Sequence, residues 1–288
     1  MFKNLSPGAI GLRGLPLAES LALAREVGFA GIDFDIREAA ELADAQGVKH
    51  VRDLFASAGV RPGQWGLPVA WRQDDKWPAD LAELPRLAEL GRTLGCTRTC
   101  TFMPPGSSER PYEENFAWHV ERFRPIAGVL REQGCRLGIE FIGPKTSRAD
   151  HAHEFIHDLG GLMELAGAIG TGNVGVLLDA WHLYTSGGAV EDLDRITAQD
   201  VVAVHVNDAP AGIARDDQID NVRALPMETG VIDLPGFMGK LRAMGYDGPV
   251  TAEPFSKRLA ELAASDRRAA VAQTARSMDA LWRAAALS

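Results

Sequence analysis

Cysteine is scarce in this 288-residue chain, with three in all: Cys96, Cys100 and Cys135. So small and odd a number does not describe a disulfide framework. The spacing Cys96-x-x-x-Cys100 has no second Cys/His pair from which a zinc site could be built, and all three thiols are expected to act as buried small hydrophobes. Basic residues are in deficit, 30 against 39 acidic for a net charge of −9, which argues against nucleic acid or an anionic membrane as a partner. No apolar run approaches the roughly 18 residues of a membrane span, and the opening MFKNLSPGAIGLRG has no signal-like apolar core. A cytoplasmic location is expected. No Pro/Gly/Ser-rich linker divides the chain, and 46% hydrophobic with 24% charged residues is a globular composition. At this length a core can form without disulfide or metal.

What is present is a repeated unit: an amphipathic helix, a glycine, a short spacer, then an apolar run ending in a polar residue. It reads REVG-FAGIDFD, ASAG-VRPGQWG, RTLG-CTRTCTF, REQG-CRLGIEF, GAIG-TGNVGVLLD and RAMG-YDGPVTAE. Gly28, Gly59, Gly95, Gly134, Gly170 and Gly245 stand where a helix would end in a left-handed cap. The runs that follow are too short for helices and too continuously apolar for one-sided strands, so they fit a parallel sheet buried on both faces. PGAIGL, near residues 7–12, and VVAVHVND, near 201–208, complete eight strands. Helices are expected near residues 17–26, 37–58, 80–94, 114–133, 154–169, 190–198, 233–244 and 257–285. Eight βα units without a break predict an α/β fold, a single (β/α)8 TIM barrel over residues 1–288. The alternative is a doubly wound sheet, which would want a better glycine-rich turn than GLRGLP.

In such a barrel the chemistry sits at the carboxyl ends of the strands. Four consecutive late strands end in ionisable residues: Glu140, Asp179, His205 and Glu253. They would converge on one point, where unpaired polar groups are costly. Three carboxylates there call for a positive charge, and a divalent cation supplies it. Three oxygen donors and one imidazole suit Mn2+ first, with Mg2+, Co2+ or Zn2+ as alternatives.

The strings IEFIGP, GVLLDAWH, VHVNDA and GVIDLPGFMGKLRAMGYDGPVTAEPF resemble the xylose-isomerase-like barrel superfamily. That group includes ketose 3-epimerases, hydroxypyruvate isomerases and inosose dehydratases. The resemblance implies one divalent metal held by Glu140, Asp179, His205 and Glu253, with His182 of Asp179-x-x-His182 contacting substrate. Arg223 opens RALPMETG, an altered form of the family's R-x-x-P-G-E-G, and is assigned to substrate binding. It further implies a sugar or polyol-derived ketone as substrate. Glu140 and Glu253 would be the catalytic acid and base, working through a cis-enediolate to isomerise or epimerise. An inosose-type dehydratase is the lyase alternative on the same site. A non-catalytic sugar-binding barrel would not need two opposed glutamates. An endonuclease IV-like repair enzyme would need histidines in GQWGLP, CTFMPPG and ARDDQIDN, which have none.

Four of six tryptophans fall near the expected mouth: Trp65, Trp71 and Trp77 after strand 3, and Trp181 beside Asp179. Beyond ordinary packing they suggest an apolar wall or lid, with Trp65 and Trp181 as substrate-binding residues and no phosphate cradle. Asp33 and Asp35 are expected to be loop hydrogen-bonders, and Asn207 and Asp208 to hold the loop after strand 7. His151, His153 and His157 are expected at a solvated helix start, since spacings of two and four do not share one helix face. The apolar face of LALAREVGFA and the long final helix would suit a homodimer or higher homo-oligomer.

Overall fold

The computed structural model describes residues 1–287, so Ser288 of the expected domain lies outside the described residues. Eight parallel strands close a barrel in chain order. They are β1 (Phe2–Leu5), β2 (Gly31–Phe34), β3 (Arg61–Gly66), β4 (Arg98–Met103), β5 (Arg136–Phe141), β6 (Val174–Asp179), β7 (Val201–Val206) and β8 (Pro249–Ala252). β7 is buried at every position, because a strand inside a helix-clad barrel meets side chains on both faces. All six glycines of the repeat adopt positive φ. The long helices are α1 (Leu17–Val27), α2 (Ile36–Gln46), α3 (Val48–Ala58), α4 (Trp77–Thr93), α5 (Tyr112–Glu132) and α6 (Leu159–Ile169). After them come the short α7 (Ala180–Thr185), then α8 (Leu234–Ala243), α9 (Lys257–Ser265) and α10 (Arg267–Ala284).

The first strand departs from expectation. β1 is FKNL, paired with both β8 and β2, whereas PGAIGL folds into a 3-10 turn at Gly8–Ile10. Gly11 ends that turn at φ 90°, with Ala260 Cα only 2.8 Å from where a Cβ would stand, so the chain cannot run on as a strand. FKNL escapes a hydrophobicity reading because its buried Asn4 finds acceptors in Asp33 and Thr251 inside the barrel. Two long helices are also divided. Gly47, at φ 87° and ψ 149°, separates α2 from α3. Asp266 separates α9 from α10 by accepting the Ala269 N–H as an N-cap.

The expected helix over 154–169 begins only at Leu159, capped by Asp158. His153–Glu154 instead pairs antiparallel with Gly106–Ser107 above the barrel, so the histidine cluster is a ribbon and loop rather than a helix start. The segment 190–195 is a 3-10 helix in place of the expected helix. The three cysteines are buried and unbridged, and burial pushes each thiol up, to about 12 for Cys96 and about 11 for Cys135. Cys100 packs with Leu177, Val202 and Ala203 within the barrel. Among the described residues no helix is long and apolar enough to cross a membrane.

Candidate metal centre

Strand register brings the four late-strand residues together. Asp179 on β6 stands opposite His205 on β7, Thr251 on β8 pairs with His205, and Glu253 continues that ladder by donating its N–H to Val206. Glu140 is the penultimate residue of β5. One donor atom from each of Glu140, Asp179, His205 and Glu253 lies within 4.8 Å of the others. His205 Nδ1 is 3.3 Å from both Glu140 Oε1 and Glu253 Oε2. It is not aligned for a hydrogen bond, so Nδ1 and Glu140 Oε1 are both buried without a partner.

Arg223 supplies the positive charge within this cluster. Its Nη1 reaches Asp179 Oδ2 at 2.8 Å and Glu253 Oε2 at 2.9 Å, and its Nη2 reaches Asp220 Oδ1 at 2.8 Å. The guanidinium carbon lies 5.4 Å from the Trp181 ring and 5.0 Å from the Phe255 ring, an arrangement that favours a planar cation. With Glu140, four carboxylates gather around one guanidinium, so negative charge is in excess. The electrostatics of the site point the same way. Burial pushes Glu140 up to about 7 and raises Asp179. Burial acts against the charged form of His205, but the Glu253 and Glu140 carboxylates outweigh it and hold the imidazole well above its ordinary pKa. Oxygen-rich donors, buried lone pairs without partners and uncompensated charge all fit a divalent ion.

His182 is fixed in one tautomer. The Gly143 N–H donates to its Nδ1 at 3.1 Å, which leaves the hydrogen on Nε2. Nε2 faces another donor, Arg223 Nη2, at 3.1 Å, and stands 3.9 Å from Asp179 Oδ2. Burial and the Arg223 charge hold the ring well below its ordinary pKa and therefore neutral. Glycine is needed at 143, where a Cβ would sit 2.2 Å from the His182 carbonyl oxygen.

The tryptophans correct the expectation of a wall. Trp65 is fully buried behind the sheet, its indole donating to the Cys96 carbonyl and pressed against Gly91 of α4. Alternation along β3 turns Gln64 inward and Trp65 outward, so Trp65 is not brought to the site. Trp181 is fully buried, as is His182, and carries Arg223 over its ring. Trp71 packs with Trp118, His119 and Phe123, and Trp77 carries Arg122 over its ring. Gln64 was not legible as a site residue, yet it reaches His205. A cleft of about 640 Å3 opens between the loops after β1, β2 and β3, with Leu12, Arg13, Asp33 and Leu67 on its walls. Asp35 caps α2.

Asn207 and Asp208 hold the surroundings together, as expected. Asn207 Nδ2 donates to Asp179 at 3.1 Å. The buried Asp208 carboxylate accepts the backbone N–H groups of Ala209, Thr229, Gly230, Val231 and Ile232, while its backbone pairs with Ala224, next to Arg223. Asp208→Asn turns one accepting oxygen into a donor facing other donors. It is expected to cost about 2–3 kcal/mol in urea unfolding; an unchanged midpoint would show that these bonds do not hold the loop.

The family model for the xylose isomerase-like TIM barrel matches residues 21–281. The chain belongs to this family. Over 99% of both chains it superimposes, with a TM-score of 0.87 and 29% identity, on a xylose isomerase domain protein from Alicyclobacillus acidocaldarius. The IOLI protein, solved with a zinc atom bound, shares the fold with a TM-score of 0.79 and 18% identity, covering 98% of this chain and 99% of that one. A curated relative, the inosose isomerase of Halalkalibacterium halodurans, is 26% identical over 144 residues. That match takes in 49% of this chain and about half, 47%, of the relative's length.

Proposed function

We propose that this barrel is a divalent-metal-dependent isomerase or epimerase of a ketose or related hydroxyketone, with Glu140 and Glu253 as its acid and base. One observation carries the proposal: four donors from four consecutive strands lie within 4.8 Å of one another, with Glu140 Oε1 and His205 Nδ1 buried and unpaired. Glu140, Asp179, His205 and Glu253 would hold the ion. When bound, it would polarise a substrate carbonyl and acidify the neighbouring C–H. The inosose isomerase relative supports isomerase chemistry, and the zinc-bound neighbour is consistent with a divalent ion.

The proton work belongs to the chain. β5 and β8 flank β6 and β7, so Glu140 and Glu253 approach from the two ends of the cluster. One removes the proton next to the carbonyl and the other returns one. Return to the opposite face of the same carbon is epimerisation; return to the neighbouring carbon is isomerisation. The Nε2–H of His182 would donate to a substrate oxygen. Arg223 offsets the negative charge that develops on proton loss. The cleft beside Asp33 is of a size for a small polyhydroxylated molecule, and Asp33 links its wall through Gln64 to His205.

The test is deuterium exchange by NMR over ketohexoses, ketopentoses, inososes and hydroxypyruvate, with the protein loaded with Mn2+, Mg2+, Co2+ or Zn2+. Deuterium should enter next to the carbonyl of at least one compound and be suppressed by a chelator. The labelled carbon separates epimerase from isomerase, and loss of water would reveal the dehydratase. No exchange with any metal-loaded form would overturn the proposal.

A further inference from the structure

Behind His205, on the side away from the carboxylates, a second polar chain crosses the barrel. Asn4 Nδ2 donates to Thr251 Oγ1 at 2.9 Å and to Asp33 Oδ1 at 2.6 Å. Asp33 also accepts from Gln64, through the backbone N–H at 3.1 Å and the side-chain Nε2 at 3.3 Å. Gln64 Nε2 in turn lies 3.1 Å from His205 Nε2. The room for this chain is built in. A Cβ at Gly31 or Gly63 would stand 2.6 or 2.2 Å from Asn4 Oδ1.

His205 turns Nδ1 toward Glu140 and Glu253. An imidazole that binds a cation through Nδ1 is neutral and carries its hydrogen on Nε2. That N–H is buried and needs an acceptor, and such an outer partner orients the ring. Gln64 is the hydrogen-bonding group at Nε2 among the described residues, and its Oε1 is buried without a partner. We propose that Gln64 is a positioning residue of the cation site: anchored to Asp33 through its backbone N–H, it offers Oε1 to the Nε2–H of His205. A turn about its last side-chain torsion, which is broad for glutamine, exchanges the two amide atoms and brings Oε1 to the imidazole, while the backbone N–H stays on Asp33. The ring is then locked with Nδ1 toward the three carboxylates. The inference rests on a divalent ion occupying that cluster.

Calorimetric titration with Mn2+ and with Co2+ tests it on the full chain. The variants are Gln64→Leu, Asp33→Ala and the double variant Asp33→Asn/Gln64→Glu. Metal-free melting and the visible spectrum of the Co2+ complex are recorded alongside. Gln64→Leu should bind about 10–100-fold more weakly, with a changed Co2+ spectrum. Asp33→Ala, which leaves the amide unanchored, should weaken binding by at least about fivefold; this arm decides if Gln64→Leu does not fold. In the double variant, amide and carboxylate exchange places and the acceptor for His205 is kept. Its affinity should return to within about fivefold of wild type. Wild-type affinity and spectrum in folded Gln64→Leu would overturn the positioning role alone, as would a double variant no better than Gln64→Leu. A wild type that binds no divalent ion would overturn both this role and the metal centre.

Discussion

Replacing Glu253 by glutamine, or Glu140 by glutamine, is expected to lower turnover and solvent proton exchange by about 10²–10⁴-fold, the usual reach of a positioned acid or base. Glutamine keeps the shape of the side chain but cannot take a proton from carbon. Each variant also loses an anionic donor, so metal affinity must be measured beside turnover. Glu253→Gln takes the charge from one of the two carboxylates on Arg223 Nη1, which leaves Asp179 as that nitrogen's carboxylate partner. Glu140→Gln removes the carboxyl that burial has pushed up to about 7 and should disturb the charge balance less. Under saturating metal, loss of exchange with retained ligand binding is the result that assigns acid–base work to the pair. Full exchange in either variant would remove that residue from the chemistry.

The difference between what could and could not be read in the sequence is itself physical. Strands buried on both faces announce themselves as apolar runs, and an ionisable residue at the end of such a run stands out, as Asp179 does after NVGVLL. Once the eight strands are in order, four such residues must meet. FKNL carried no such signal, because its buried polar residue is paid for by partners 29 and 247 positions away. Gln64 was hidden for the same reason. A glutamine beside a tryptophan on β3 gives no hint that the tryptophan turns outward and the glutamine inward. Trp65 and Trp181 drew attention by size and position, but size is what fits them to fill the space between sheet and helices. Long-range hydrogen bonds and side-chain direction are the two properties that periodicity does not encode.

Arg223→Met is expected to destabilise the metal-free protein by about 3–5 kcal/mol, because it strips the countercharge from buried carboxylates and leaves them unpaired. At this chain length that corresponds to a fall in melting temperature of the order of 10 °C. The packing part of the loss should be small, since methionine can still lie between Trp181 and Phe255. The electrostatic part should be recoverable. With the guanidinium gone, Asp179, Glu253 and Asp220 lose their shared countercharge, so a divalent ion has more to neutralise. Saturating metal should therefore raise the melting temperature of the variant by more than it raises that of the wild type. Arg223→Lys keeps the charge but cannot span Asp179, Glu253 and Asp220 with a planar fork, and should fall between the two. Melting in chelator and again in excess Mn2+ or Zn2+ distinguishes the cases. A metal-free Arg223→Met protein as stable as wild type would mean that the buried carboxylates are not balanced by this arginine. The excess of negative charge that a divalent ion would offset would then have to be redrawn.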